Sequence, residues 1–358
     1  MHVIRSRNVN GLFVEGLQHL ASVGEHGDSR AGRVVTAPWP VMSVYESPQE
    51  RVLLDSRRDA NPFFHLMEGL WMLAGRDDAA FLDNYVKDFG SRFAENGIVH
   101  GAYGKRWRTS LGFDQLDEIV CRLRADPTDR QCVLQMWDAS DQTNQCLECG
   151  WKGSDDLIGS WKDRPCNTHC YFRIREMATA LVQDYAKVQS GPVLDMTICC
   201  RSNDIVWGAY GANAVHMSML MEYVAGRVGV GVGTMYQLSN NYHGYVDMLD
   251  KIGDPDGLDG SDPYEDGVVR SVAMADDWES WDDDLTQFMA WHENIGVDAL
   301  HSASFKNKWF MDVAAPIAAT NWLWKRKQHE DAMQQVRKIA APDWRTACQE
   351  WLNRRIDS

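Results

Sequence analysis

The residues with the most chemical potential lie in the middle of the chain. Nine cysteines occur, at 121, 132, 146, 149, 166, 170, 199, 200 and 348. One of them heads a strand-like stretch in Pro165-Cys166-Asn167-Thr168, and Arg201-Ser202-Asn203-Asp204 closes another. A thiol beside a guanidinium is drawn toward the thiolate, the form that attacks carbon. The same arginine carries the planar fork that grips a phosphate with parallel hydrogen bonds. Singly, each motif has a plainer reading, as a small buried hydrophobe and as a turn with a salt bridge. A rival constellation is Cys146-x2-Cys149 followed by Cys166 and then His169 or Cys170, a spacing that structural zinc uses to close a tetrahedron. Against it, Cys166 and Cys170 fall at the start of a strand, and no glycine-rich turn follows each pair. The preferred reading has no metal, and the rival is a zinc-stabilised binding protein without chemistry.

Composition narrows the classes. The chain has 358 residues, 36 Lys+Arg against 51 Asp+Glu and a net charge of −15. With 44% hydrophobic and 24% charged residues it has ample core, which excludes wholesale disorder. So acidic a surface repels a phosphate backbone, so no nucleic-acid partner is expected. A mononucleotide needs only a few local arginines. No apolar run reaches the roughly 20 residues that span a bilayer, and Met1-His2-Val3-Ile4-Arg5 does not begin a signal peptide. A cytoplasmic protein without a membrane partner is expected, its thiols reduced.

Elements must bring these residues together. Asn61-Pro62 predicts the start of a buried helix that ends at Gly75. A second helix is expected from Asn213 to Ala225, before Gly226. Alternation predicts strands at Cys132–Trp137, Cys170–Arg175 and Leu194–Cys199, the last two pairing as neighbours. Helices and strands mix without strict alternation, which points to an α+β fold with a large mixed sheet. The expected organisation is one domain: a catalytic core at 1–248, an acidic loop excursion at 249–286, and a helical C-terminal extension at 287–358. Trp281-Asp282-Asp283-Asp284 is read as part of the solvated excursion, where no EF-hand spacing supports calcium.

Further motifs occur in order. They are Ser29-Arg30-Ala31-Gly32, Glu68-Gly69-Leu70-Trp71-Met72-Leu73-Ala74-Gly75, Gly101-Ala102-Tyr103-Gly104-Lys105-Arg106-Trp107-Arg108 and Asp126-Pro127-Thr128-Asp129-Arg130-Gln131. With the Pro-Cys and Arg-Ser-x-Asp segments, they make about residues 9–245 resemble the thymidylate synthase superfamily, which includes phage-type deoxycytidylate and deoxyuridylate hydroxymethylases. The resemblance implies a thymidylate synthase-like single domain, α+β, with a large mixed β-sheet flanked by helices. It implies a homodimer, a pyrimidine nucleoside 5′-monophosphate as substrate and 5,10-methylenetetrahydrofolate as co-substrate. Cys166 would add to C6 of the pyrimidine, while Glu68 and Tyr103 handle protons. Arg30, Arg201 and Ser202 would hold the phosphate, with Arg130 reaching across the dimer. Asp204 would contact the pterin, and Phe89 would stand beside the methylene.

The departures bear on the product. Asn167 stands where the synthase has His after the nucleophile. The base-reading Asn falls on Asn213 counting back from the helix, and on Ala212 counting forward from Gly208. No cytosine-reading Asp occurs on either count. Gln131 replaces an interface arginine. The His-x-Tyr that holds the sugar, sought at Tyr236-Gln237-Leu238-Ser239-Asn240, is not reproduced there and leaves Tyr236 as the candidate. Phe89 replaces a Trp, and the C-terminal Trp351-Leu352-Asn353-Arg354-Arg355 is polar rather than an apolar lid. A site that admits water favours hydroxymethyl over methyl. Likeness around Cys166 and Arg201 narrowly favours deoxycytidylate, with deoxyuridylate the alternative, and a phage-encoded enzyme would work in the host cytoplasm.

Overall fold

A computed structural model describes residues 1–138, 156, 163–176, 191–257, 261–295 and 304–356. The first half runs β1 (His2–Ser6), α1 (Val9–Val23), β2 (Glu25–Ser29), β3 (Gly32–Thr36), β4 (Val41–Tyr45), α2 (Pro62–Leu73), α3 (Ala79–Asp83), α4 (Phe89–Phe93), α5 (Tyr103–Arg108) and α6 (Gln115–Ala125). Then come β5 (Val133–Gln135), β6 (Asn167–Glu176), β7 (Pro192–Cys200), β8 (Asn203–Asp204), α7 (Asn213–Val228), β9 (Gly231–Ser239), β10 (Tyr242–Tyr245) and α8 (Val246–Ile252). The last helices are α9 (Trp281–Glu293), α10 (Ala315–Lys325), α11 (His329–Gln335) and α12 (Pro342–Ile356).

The strands form a six-stranded mixed sheet in the order β1-β4-β9-β7-β6-β5 and a four-stranded sheet in the order β2-β3-β10-β8. This is the expected α+β architecture. β6 and β7 pair as neighbours, as expected, and run antiparallel with Cys170 opposite Ile198. On the large sheet, Cys170, Phe172, Met196, Ile198, Met235 and Gln237 turn inward and are buried. Tyr171, Arg173, Thr197, Tyr236 and Leu238 turn outward, where cover is thinner.

α2 has the ends its sequence dictates. Asn61 Oδ1 accepts from the Phe64 amide at 3.1 Å, and Pro62 fills the first turn, where no N–H is needed. Gly75 adopts φ +70°, and the amides of Gly75 and Arg76 close on the Met72 and Trp71 carbonyls. α5 lies so close to α2 that a side chain at Gly104 would overlap the Met72 backbone. α7 is buried around most of its circumference, between the large sheet and α2. It runs to Val228, past the expected stop at Gly226, because Gly229 at φ +90° supplies the left-handed cap.

The acidic stretch departs from a solvated excursion in its second half. Trp281 is fully buried and opens α9, and Asp282, Asp283 and Asp284 form its first turn, where carboxylates oppose the helix dipole. Asp284 accepts from the Lys306 and Asn307 amides, and Asp282 binds Arg108, Tyr223 and Arg227. Before it, Tyr264 donates to Asp343 and Asn8 donates to Asp262. The polar C-terminal segment is also held: Trp351 meets Phe63 edge-on, and Arg354 and Arg355 bind Asp59 ahead of α2. Among the described residues, no helix is long and apolar enough to cross a membrane.

Candidate active site

The motifs converge at one end of the large sheet. Cys166 immediately precedes β6, and Arg201 and Ser202 follow β7. The backbone joins them, the Arg201 amide donating to the Cys166 carbonyl at 2.9 Å. The Arg201 guanidinium is tied to the Pro165 and Arg164 carbonyls and stands 4.0 Å from Cys166 Sγ. Trp137 lies under it, 5.6 Å from ring centre to guanidinium carbon. Burial pushes the Cys166 thiol above its ordinary range; Arg201 pulls it down, while Asp163 and Asp204 push it further up. Desolvation therefore outweighs the guanidinium, and the expected bias toward thiolate is reversed in the resting protein.

Tyr103 meets the same loop from α5. Its hydroxyl oxygen accepts from the Cys166 and Asn167 amides at 3.1 and 3.2 Å. Burial holds its phenol proton on, well above the ordinary range. The phenol thus fixes the backbone at Cys166 and Asn167 and keeps its own proton to donate. Glu68 projects from the middle of α2, its side chain 12% exposed, with Oε2 3.2 Å from Nε2 of buried His216. Phe89 packs against Phe64, one turn before Glu68, at 5.9 Å between ring centres.

A ladder of amides runs beside the thiol. Asn167 Nδ2 donates to Asn213 Oδ1 at 3.3 Å, Asn213 Nδ2 to Asn203 Oδ1 at 3.1 Å, and Asn203 Nδ2 to Ser239 Oγ at 3.0 Å. The Cys200 thiol donates to Asn167 Oδ1 at 2.7 Å. A side chain at Gly208 would stand 3.3 Å from Asn213 Nδ2, so the glycine lets its loop close over the ladder. A π-helical stretch, Ile205–Ala212, kinked at Gly211, leads into α7 and sets Asn213, the residue reached by counting back from the helix, in this ladder.

Asp204 caps this stretch, its Oδ1 accepting from the Val206 and Trp207 amides. Its Oδ2 is buried without a hydrogen-bond partner among the described residues, and burial raises its carboxyl. Nearby, Arg58 donates to the Val206 carbonyl, lies 4.5 Å over the Trp207 ring, and keeps a buried unpartnered Nη2.

Other assignments change. Tyr236 stands on the outward sheet face, opposite Thr197 and Val44, on the other side of the strand from Ser239 and its ladder. Tyr236 lies near Arg175 there. The site instead receives His243-Gly244-Tyr245 from β10, a His-x-Tyr spacing that stands in the sequence a few residues beyond the stretch searched. His243 bears on Asp204, and Tyr245 feels Asp204, Cys166 and Arg30. Arg30 is exposed at the tip of the β2–β3 hairpin. Arg130 is exposed too, and no hydrogen bond or ion pair among the described residues joins it to its own chain's site. Asp163 also went unnoticed: it packs against Gly101 and interacts with Glu68, Cys166 and Tyr103. Only its place three residues before Cys166 could have signalled it.

For the zinc rival, Cys146 and Cys149 lie outside the described residues. Cys170 points into the core, whereas Cys166 meets Arg201. Among the described residues, no group of three or more potential ligands gathers.

The thymidylate synthase family model matches residues 12–255. The chain is 38% identical to a deoxyuridylate hydroxymethyltransferase of Pseudomonas phage M6, over 99% of this chain and 95% of that one. It is 32% identical to a deoxyuridylate hydroxymethyltransferase of Bacillus phage SP01, over 64% of this chain and 55% of that one. It is 21% identical to the thymidylate synthase of Candida albicans, over 67% of this chain and 80% of that one.

Proposed function

The chain belongs to the thymidylate synthase family, and on that premise we propose that it hydroxymethylates deoxyuridylate at C5. It is a one-carbon transferase with 5,10-methylenetetrahydrofolate as co-substrate. The observation that carries the choice of base is the amide ladder. With Oδ1 accepting from Asn167 and Nδ2 donating to Asn203, Asn213 keeps one N–H and one lone pair for a ligand. Uracil fits that orientation, its N3–H donating to Oδ1 and its O4 accepting from Nδ2. Cytosine offers the opposite pattern and needs the amide reversed. Reversing Asn213 alone sets amino against amino at Asn167 and carbonyl against carbonyl at Asn203, so all three amides must turn together and replace the Cys200 thiol's bond to Asn167 with a weaker one to sulfur. The phage M6 and SP01 relatives, named for deoxyuridylate, support the same choice. The deoxycytidylate preference drawn from motif likeness gives way to its alternative.

In this reading Cys166 Sγ bonds to C6, which makes C5 nucleophilic, and Glu68 handles protons at the ring. Arg201, Ser202 and Arg30 hold the phosphate, and His243 and Tyr245 hold the sugar hydroxyl. Folate supplies the methylene carbon. Asp204 Oδ2, buried and unpartnered, suits the N–H groups of a pterin, with Arg58 Nη2 beside it to donate. Asn167 and Phe89 leave room for water to complete the hydroxymethyl group.

The test is to incubate the protein with methylenetetrahydrofolate and, separately, dUMP, dCMP, UMP and CMP. The expected result is dUMP gaining the mass of formaldehyde while tetrahydrofolate is released. Dihydrofolate forming in step with a methylated product would make the enzyme a thymidylate synthase.

The uncovered face of the large sheet, with Tyr171 and Val133 exposed on it, suits a second copy of the chain. In that homodimer, Arg130 of the partner subunit reaches the phosphate. Arg130→Ala and Cys166→Ala, each inactive alone, should recover about a quarter of wild-type sites after random subunit exchange. Verified exchange without recovery would place Arg130 outside the site.

A further inference from the structure

His216 is left without a role by the reading so far. It lies on the first turn of α7 and is fully buried, with Nε2 3.2 Å from Glu68 Oε2. That nitrogen meets no partner at hydrogen-bonding angles, and Glu68 has no other ion pair or hydrogen bond among the described residues. The approach is built into the sequence. A side chain at Gly69 would strike Met219 Sδ and stand 3.6 Å from His216 Cδ2, so the glycine beside Glu68 lets the two helices close.

The other ionisable neighbours are placed on either side. His65, three residues before Glu68 on α2, sets its ring edge-on to His216 at 6.5 Å. Burial, then the charges of Arg58 and His216, hold His65 well below its ordinary range, so it stays neutral. Asp163 is within electrostatic reach of Glu68, and of His100 and Arg106 as well.

We propose that His216 is the positioning residue for Glu68: from 3.2 Å a small turn of either side chain lets Nε2 donate to Oε2, which points the other oxygen at the pyrimidine. The kinetic part of this inference rests on the proposed reaction. Two polar replacements of different reach test it: His216→Gln keeps a donor near the Nε2 position, and His216→Asn stops short of Glu68. His216→Gln should keep kcat/KM within about threefold of wild type. His216→Asn should lose about thirtyfold, in kcat rather than in KM for the nucleotide. A carboxylate that loses its donor is harder to ionise, so the acid limb of the pH profile should move up by about one unit in the Asn variant and stay put in the Gln variant. Asn and Gln variants alike in rate and profile would overturn the assignment, as would a loss in Asn with the limb unmoved. A second readout needs no turnover: the His216 Nε2 resonance in nitrogen-15 spectra should shift in Glu68→Gln. No shift would overturn the pairing, whereas a clear shift in a protein that turns over no pyrimidine nucleotide would refute the reaction and leave the pairing standing.

Discussion

Cys166→Ala should give a folded protein that releases no tritium from C5 of deoxyuridylate, a loss of about a thousandfold or more. The residue is not part of the buried core, and its backbone stays pinned by Tyr103 and Arg201. The melting temperature should therefore hold while bond formation to C6 disappears. Cys166→Ser should be nearly as inactive, because a hydroxyl is far harder to ionise than a thiol and a much weaker nucleophile. In the wild-type protein, alkylation of Cys166 followed by peptide mass spectrometry should titrate above the usual thiol value of about 8.5, since burial disfavours the thiolate. Arg201→Ala should move that titration higher still, because the cation that opposes burial is gone. Tritium release above a tenth of wild type in Cys166→Ala would sink the covalent mechanism.

Asn213→Asp should exchange the base. A carboxylate accepts from the cytosine amino group and confronts the uracil O4 with a second acceptor, so the buried polar edge that suited uracil is left unpaired. The ratio of kcat/KM for dUMP over dCMP should fall by about a thousandfold or more, with turnover of dCMP appearing. Asn203 loses the donor that its Oδ1 now receives, so some loss of stability should accompany the switch. Asn213→Ala is the control and should weaken both bases without reversing their order. An unchanged preference in Asn213→Asp would remove Asn213 from base reading and leave the ladder a structural device.

The ends of α2 were legible because its capping is local: Asn61, Pro62 and Gly75 act on their own neighbours. The strands around Cys166 and Arg201 were legible through alternation, although β6 begins at Asn167, earlier than the pattern suggested. The acidic residues before α9 misled for the opposite reason. Asp282–Asp284 suit a turn by composition, and only the burial of Trp281 and the pairing with Arg108 and Arg227 turn them into a helix start.

The sequence by itself determined the family and supplied the candidates for nucleophile and phosphate arginine, because those motifs are short, contiguous and ordered along the chain. It contained His243-Gly244-Tyr245 but not the register that brings β10 beside Asp204. It contained Asn213 but not the π-helical stretch that delivers the amide to the thiol. The tertiary structure alone decided that Tyr236 faces away, that Asn213 is joined to Asn167 and Asn203, and that His216 and Asp163 come within reach of Glu68. Each of these depends on which face of a strand or helix meets a partner far away in the chain. A single residue's shift in register reverses that face, and local pattern does not encode it.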